Sequence, residues 1–254
     1  MHTLQEKVAI VTGASSGIGH AAALLFAREG ARLVVGARRE TELAALVDRI
    51  TSEGGTAVAL AGDVADEGYA QALVELAERR FGGLDIAFDN AGTLGPMAPT
   101  SEVSAVDWDA TMRVNLGGAF LSAKHQIPAM ERRGGGSIVF TSTFVGYTAG
   151  MPNVAAYAAS KAGIIGLVQA LAVEVARKGV RVNALLPGGT DTPMGRVFAS
   201  TPEARAFVDG LHALKRIASP EEIAAAALFL ASPAASFVTG TAMLVDGGVS
   251  INRT

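Results

Sequence analysis

The sequence predicts an α/β fold: a single doubly wound domain over residues 1–254, with a seven-stranded parallel sheet flanked by helices on both faces. Three observations predict it. Short β-branched runs alternate regularly with longer helical patterns, which is the signature of right-handed βαβ units. The strand candidates are apolar almost throughout, as a sheet covered on both faces requires. Residues with chemical character follow directly after the strand candidates, at the edge where open parallel sheets hold their ligands.

The first strand is predicted at 8–12, an unbroken apolar run, and a glycine-rich turn leads from it into a helix at 17–29. A second β-branched run at 33–37 precedes a helix at 40–53 that opens on acidic residues. The third pair is a short apolar strand at 57–60 and a helix at 65–81. Residues 86–89 form the fourth strand, followed by a long helical pattern at 106–131. Gly134-Gly135-Gly136 reads as a turn into the fifth strand, 137–142, and a second long helix follows at 153–177. The sixth strand at 181–186, a helix at 220–230 with proline at its start, and the strand at 242–245 complete the pattern. No repeat, composition shift or low-complexity tract divides the chain.

Half the residues are apolar and only 6% are aromatic, so small aliphatic side chains suit close packing of helix on sheet. A formal charge of −3 gives no reason to expect nucleic acid or an anionic membrane as a partner. No cysteine is present, which excludes disulfides and thiolate chemistry and mildly favours a cytoplasmic setting. No signal peptide is visible, and no uncharged apolar stretch reaches the roughly 18 residues of a membrane span. His2, His20, His125 and His212 lack metal-ligand spacing, so no metal site is expected.

Thr12-Gly13-Ala14-Ser15-Ser16-Gly17-Ile18-Gly19 follows the first strand. Glycine permits the tight turn and lets backbone N–H groups approach a pyrophosphate at the positive end of the next helix. An ordinary strand-to-helix turn is the alternative reading. The second strand ends in Gly36-Ala37-Arg38-Arg39, with no carboxylate before Glu40. A carboxylate there would bind the ribose 2′-hydroxyl, whereas arginine pairs with a 2′-phosphate, so NADP(H) is favoured over NAD(H). Arg38 and Arg39 stacking on adenine or facing solvent is the competing reading. Asp63-Val64 follows the third strand, where Asp63 would accept from the adenine amino group, cap the next helix, or both. Asn90-Ala91-Gly92 offers small residues and an amide where a ribose must pass close to backbone.

Tyr157 and Lys161 stand four residues apart in a helical run and share one face. A neighbouring ammonium stabilises a phenolate, so Tyr157 is expected to ionise below the usual value of about 10 and to act as a general acid/base.

These residues together resemble the short-chain dehydrogenase/reductases over essentially the whole chain. The resemblance rests on the T-G-x-x-x-G-x-G loop, Asp63-Val64, Asn90-Ala91-Gly92, Asn115, the hydroxyls ending strand five, Tyr157 and Lys161, Pro187-Gly188, and Val245-Asp246-Gly247-Gly248. It implies a Rossmann-type fold and hydride transfer between a nicotinamide and a ketone or secondary alcohol. Tyr157 would exchange the proton with the substrate oxygen. Lys161 would hold the nicotinamide ribose, so both residues also count as cofactor contacts. Asn115 would order a water that relays protons through Lys161; a structural asparagine is the alternative. The family usually ends strand five in two serines, but here Thr143 stands at the second position after Ser142. Register from Gly136 favours Thr143 as the hydroxyl that orients the substrate, with Ser142 left open. Pro187, Gly188, Thr190 and Thr192 resemble the segment that binds the nicotinamide carboxamide.

The substrate pocket is expected between Thr93 and Pro99, between Phe144 and Asn153, and in a lid at about 188–215. Leu94, Met97, Phe144, Tyr147, Met151, Met194 and Phe198 would line it, which suits an uncharged, partly apolar substrate. Arg196 is the one basic candidate there for a carboxylate. A 3-oxoacyl-(acyl-carrier-protein) reductase is the alternative, with Arg132, Arg133, Arg177 and Lys178 as a carrier patch. A catalytically silent nucleotide-sensing protein of the same fold is the second alternative. The apolar long helices and C-terminal strand resemble family assembly surfaces and imply a homotetramer.

Overall fold

The computed structural model describes residues 2–253. Seven strands form one sheet: β1 (Val8–Thr12), β2 (Arg32–Ala37), β3 (Thr56–Ala61), β4 (Ile86–Asp89), β5 (Gly136–Thr141), β6 (Val180–Pro187) and β7 (Ala242–Val245). Their spatial order is β3-β2-β1-β4-β5-β6-β7, and every neighbouring pair is parallel. The order reverses between β1 and β4, which opens a crevice at their C-terminal ends.

Eight α-helices occur among the described residues: α1 (Gly17–Arg28), α2 (Glu40–Ser52), α3 (Glu67–Phe81), α4 (Ala105–Met112), α5 (Gly118–Arg132), α6 (Ala155–Val175), α7 (Pro202–Leu211) and α8 (Pro220–Ala231). All five residues of β1 are buried, and they alternate between two cores. Ala9 and Val11 join Phe26, Leu46, Ile223 and Leu230 on the α1, α2 and α8 side. Val8 and Ile10 join Leu73, Met130, Ile164 and Val168 on the α3, α5 and α6 side. Strand β3 lies at the edge and is the least buried of the first six.

Three features depart from the expected elements. The helix expected at 106–131 is interrupted by one wide π-helical turn at Arg113–Gly117, which joins α4 to α5. The lid region contains α7, which sequence periodicity did not bring out. Its start is marked by Thr201, whose hydroxyl accepts from the Ala204 N–H at 3.1 Å, and by Pro202 in the first turn. Helix α3 starts at Glu67 and is capped by Asp66, so Asp63 is not its N-cap.

By length and composition the segment Ala155–Lys178, α6 and the turn after it, could cross a bilayer. Its inward face, with Ile164, Ile165, Val168 and Ala172, is buried in the second core instead.

Candidate functional site

A cleft of about 1000 Å³ runs along the C-terminal ends of the strands. Gly13, Ser15, Ser16, Gly17 and Ile18 line one end of it, Thr143, Tyr157 and Lys161 line the other, and Gly188, Thr190 and Thr192 line it along a loop that reaches back to Gly17. Gly13 and Gly17 have φ of +67° and +58°, in the left-handed region that disfavours side chains. Gly19 faces away from the cleft, where a Cβ would stand 2.5 Å from the Gly13 carbonyl oxygen. It lets α1 close onto the loop. The Ser16 side chain caps nothing, so the first N–H groups of α1 have no side-chain acceptor there. Such a glycine-lined helix N-terminus fits a dinucleotide pyrophosphate.

Arg39 donates to the Ser15 hydroxyl at 2.9 Å and to the Ser16 hydroxyl at 2.8 Å. A residue just beyond β2 thus reaches across to the glycine loop. Arg38 is exposed beside it at the cleft rim. Asp63 and Val64 line the same end, and Asp63 accepts from the Ala65 N–H at 3.0 Å. Asn90, Ala91 and Gly92 form the floor. Thr12, which opens the glycine-rich segment, accepts from the Asn90 N–H at 3.1 Å and the Ala91 N–H at 3.2 Å.

Tyr157 is half-buried and Lys161 is buried. The Lys161 ammonium donates to the Thr141 carbonyl at 2.7 Å. Burial without a carboxylate partner pulls its pKa down to about 8. The phenol corrects the sequence expectation. Burial pushes the Tyr157 pKa up, and the neighbouring Thr143 hydroxyl draws it only part of the way back. Removal of water from the phenolate is the dominant cause, and the Lys161 ammonium is directed at the Thr141 carbonyl.

Strand β5 ends at Thr141; the Ser142 N–H still donates to the Leu185 carbonyl of β6 at 2.8 Å, and Thr143 lies beyond the ladder. The Ser142 hydroxyl donates to the Lys161 carbonyl at 2.7 Å inside α6. Thr143 is the hydroxyl beside Tyr157. Asn115, carried by the π turn, is 1% exposed and lies outside the main cleft. It accepts from the Thr93 N–H at 2.8 Å and donates to the Thr93 carbonyl at 2.9 Å and the Ser160 hydroxyl at 2.9 Å. Asn115 and Lys161 both reach Gly92, where a Cβ would meet them at 3.1 and 3.2 Å. A second cavity of about 10 Å³, the size of one water, is lined by Asn115, Thr12, Asp89, Ser122 and Thr141.

Asp89 in that cavity wall was not singled out by sequence, because a carboxylate at a strand end gives no local signal. It accepts from Gln126 at 3.1 Å, while its Oδ2 and the Gln126 Oε1 have no partner among the described residues. Burial pushes its pKa up to about 7. The folded protein therefore keeps a proton that the unfolded chain releases at about 3.9. Stability from this group is present at low pH and lost as pH rises from about 4 to about 7. Asp89→Asn cannot ionise, so its melting temperature should vary less between pH 5 and pH 8, by an amount worth on the order of 3 kcal/mol. Parallel melting curves for both proteins across that range would contradict this.

Leu94, Phe144, Met151, Met194 and Phe198 line the Tyr157 end as expected. Met97 and Tyr147 do not; they are 45% and 51% exposed, on loops turned away from the cleft. Arg196 pairs with Asp191 at 2.9 Å on the surface and offers nothing to a bound carboxylate. The lid contacts the glycine loop, since a Cβ on Gly17 would stand 3.0 Å from Thr192 Cγ2. Among the described residues no cluster of three or more His, Asp and Glu could hold a metal ion.

Residues 13–250 match the family described as enoyl-(acyl carrier protein) reductase. A cyclohexanol dehydrogenase of Acinetobacter sp. is 40% identical over 242 residues, covering 95% of this chain and 94% of that protein. A 3-oxoacyl-(acyl-carrier-protein) reductase of Thermotoga maritima is 39% identical, covering 98% of this chain and 99% of its own. The crystal structure of an NAD(P)-dependent gluconate 5-dehydrogenase from Beutenbergia cavernae, with NADP bound at low occupancy, superposes with a TM-score of 0.93. It is 38% identical, and the match covers 99% of each chain. Sequence, fold and the arrangement along the cleft agree: this chain is a member of the short-chain dehydrogenase/reductases.

Proposed function

We propose that this protein is an NADP(H)-dependent oxidoreductase that interconverts an uncharged ketone and its secondary alcohol, with Tyr157 as general acid/base. The observation that carries it is the half-buried Tyr157 beside the Thr143 hydroxyl and the buried Lys161, at one end of a cleft whose other end is the glycine loop. The nicotinamide supplies or accepts the hydride when bound.

The raised phenol pKa keeps Tyr157 protonated at neutral pH, ready to donate to a carbonyl oxygen during reduction. Thr143 orients that oxygen. Lys161 stabilises the tyrosinate left behind, and its own pKa of about 8 lets it pass a proton on. Asn115 and the one-water cavity beside it offer the next step of a relay. Thr190, Thr192, Pro187 and Gly188 bind and orient the carboxamide, and residues 188–215 act as the lid of a single 1–254 domain.

Arg38 and Arg39 support the NADP(H) preference. Arg39→Ala should weaken NADPH binding about 10- to 100-fold and leave NADH nearly unaffected. The apolar lining and the Acinetobacter relative support cyclic ketones and alcohols of cyclohexanol type. The Thermotoga relative supports an acyl-carrier substrate. The proposed carrier patch argues against it, because Arg132, Arg133 and Lys178 pair with Glu78, Asp85 and Glu131. Exposed apolar side chains, among them Val106, Phe120 and Val173 on α4, α5 and α6 and Phe229, Phe237 and Ile251 toward the C-terminus, support a homotetramer. Light scattering should report four chains per particle, not one.

Nicotinamide absorbance followed with NADPH and NADH against cyclic ketones, cyclic alcohols and a carrier-linked 3-oxoacyl thioester tests the whole reading. Turnover of the cyclic substrates with NADP(H) is expected. Turnover confined to the carrier-linked substrate would move the assignment to the carrier reductase, and tight NADPH binding without any turnover to a silent sensor.

A further inference from the structure

His212 is 2% exposed, lines the cleft, and follows the last residue of α7. Its Nδ1 lies 2.8 Å from the Val208 carbonyl oxygen. A carbonyl only accepts, so Nδ1 carries the proton and Nε2 is bare. That bare nitrogen accepts from the Gly189 N–H at 3.0 Å. Both ring nitrogens are thus engaged, and the ring is fixed in one neutral tautomer.

Gly189 sits between Pro187-Gly188 and Thr190, in the loop that leaves β6. The ring packs directly on it: a Cβ at 189 would come within 2.8 Å of His212 Cε1. The same loop is held from its other side, where the Gly189 carbonyl accepts from Ala218 N–H at 2.8 Å and Asp191 N–H donates to the Ala218 carbonyl at 2.9 Å. One imidazole therefore ties the lid helix to the loop that carries Thr190 and Thr192.

We propose that His212 is a positioning residue that couples the seating of lid helix α7 to the register of the Gly188–Thr192 loop, and so sets where Thr190 and Thr192 stand against the cofactor and substrate. The proposal rests on the oxidoreductase reading for its consequence in turnover. The coupling itself is a property of the protein alone. Loss of the Nε2 acceptor leaves the part-buried Gly189 N–H without its partner, and the loop and α7 loosen together.

Three variants separate the acceptor from the packing. His212→Gln places a side-chain carbonyl near Nε2. His212→Asn keeps a donor near Nδ1 without reaching Gly189. His212→Leu fills the space with no polar atom. Hydrogen exchange on the protein without cofactor reads the coupling: Asn and Leu should speed exchange at Gly189 and across residues 202–211 about tenfold or more, and Gln should restore protection. In steady-state kinetics Asn and Leu should lower kcat about 10- to 100-fold and raise KM for the ketone, with Gln recovering most of both.

Equal exchange in Asn, Gln and wild type would overturn the proposal, as would faster exchange at Gly189 with α7 unchanged. If Leu does not fold, the Asn and Gln pair decides. Wild-type protein that turns over no substrate, with the exchange pattern as expected, would defeat the oxidoreductase reading and leave the coupling standing.

Discussion

Tyr157→Phe is expected to lower kcat about 10²- to 10⁴-fold while NADPH binds within about threefold of wild type. Phenylalanine keeps the ring that packs in α6 and removes only the hydroxyl beside Thr143. Among the described residues no other phenol lines the cleft; the acids that do are Asp63 at the glycine-loop end and Asp107, which is engaged by Ser104. Hydride addition to a carbonyl then leaves an alkoxide without the phenolic proton, and the Lys161 ammonium, directed at the Thr141 carbonyl, is not placed to replace it. The upward shift of the phenol sharpens the expectation. A protonated Tyr157 at neutral pH favours reduction over alcohol oxidation, so raising the pH should increase the oxidation rate in wild type and not in the variant. A variant retaining a third of wild-type kcat would show that proton transfer runs through another group.

The second large effect separates the two hydroxyls at the end of β5. Thr143→Val is nearly isosteric and deletes the oxygen beside Tyr157, which also accepts from the Val145 N–H at 3.3 Å, so kcat should fall about 10- to 100-fold and stability by about 1 kcal/mol. Ser142→Ala should separate the two effects. Its hydroxyl is tied to the Lys161 carbonyl at 2.7 Å, and its loss should cost about 1 kcal/mol of stability while kcat changes less than about threefold. Stability and turnover are measured on the same two proteins. Exchange of the two phenotypes would make Ser142 the orienting group.

The sheet was legible in the sequence because each strand is a short, largely apolar run set between helical patterns, and β1, β4 and β7 begin and end where the pattern places them. The glycine loop was legible for a related reason: positive φ at Gly13 and Gly17 and the close approach at Gly19 admit no other residue. Contacts made across the fold were not legible. The hydrogen bonds from Arg39 to Ser15 and Ser16 join residues 23 and 24 apart, and the Asp89–Gln126 contact joins residues 37 apart. Neither leaves a local pattern. The π turn was hidden because Arg113–Gly117 has the same periodicity as the helices it joins, and it decides where Asn115 stands. The phenol shift was misjudged because spacing on a helix reports a neighbour but not the water that burial removes.

The central claim is that Tyr157 protonates an oxygen while hydride reaches the carbon beside it, both within one cleft. The direct test is reduction of cyclohexanone with NADPH carrying deuterium at C4, followed by mass analysis of the alcohol. One deuterium on the carbinol carbon from one face of the cofactor, lost together with product in Tyr157→Phe, is the expected result. Cyclohexanol without label, or no product under conditions where NADPH is bound, would contradict it.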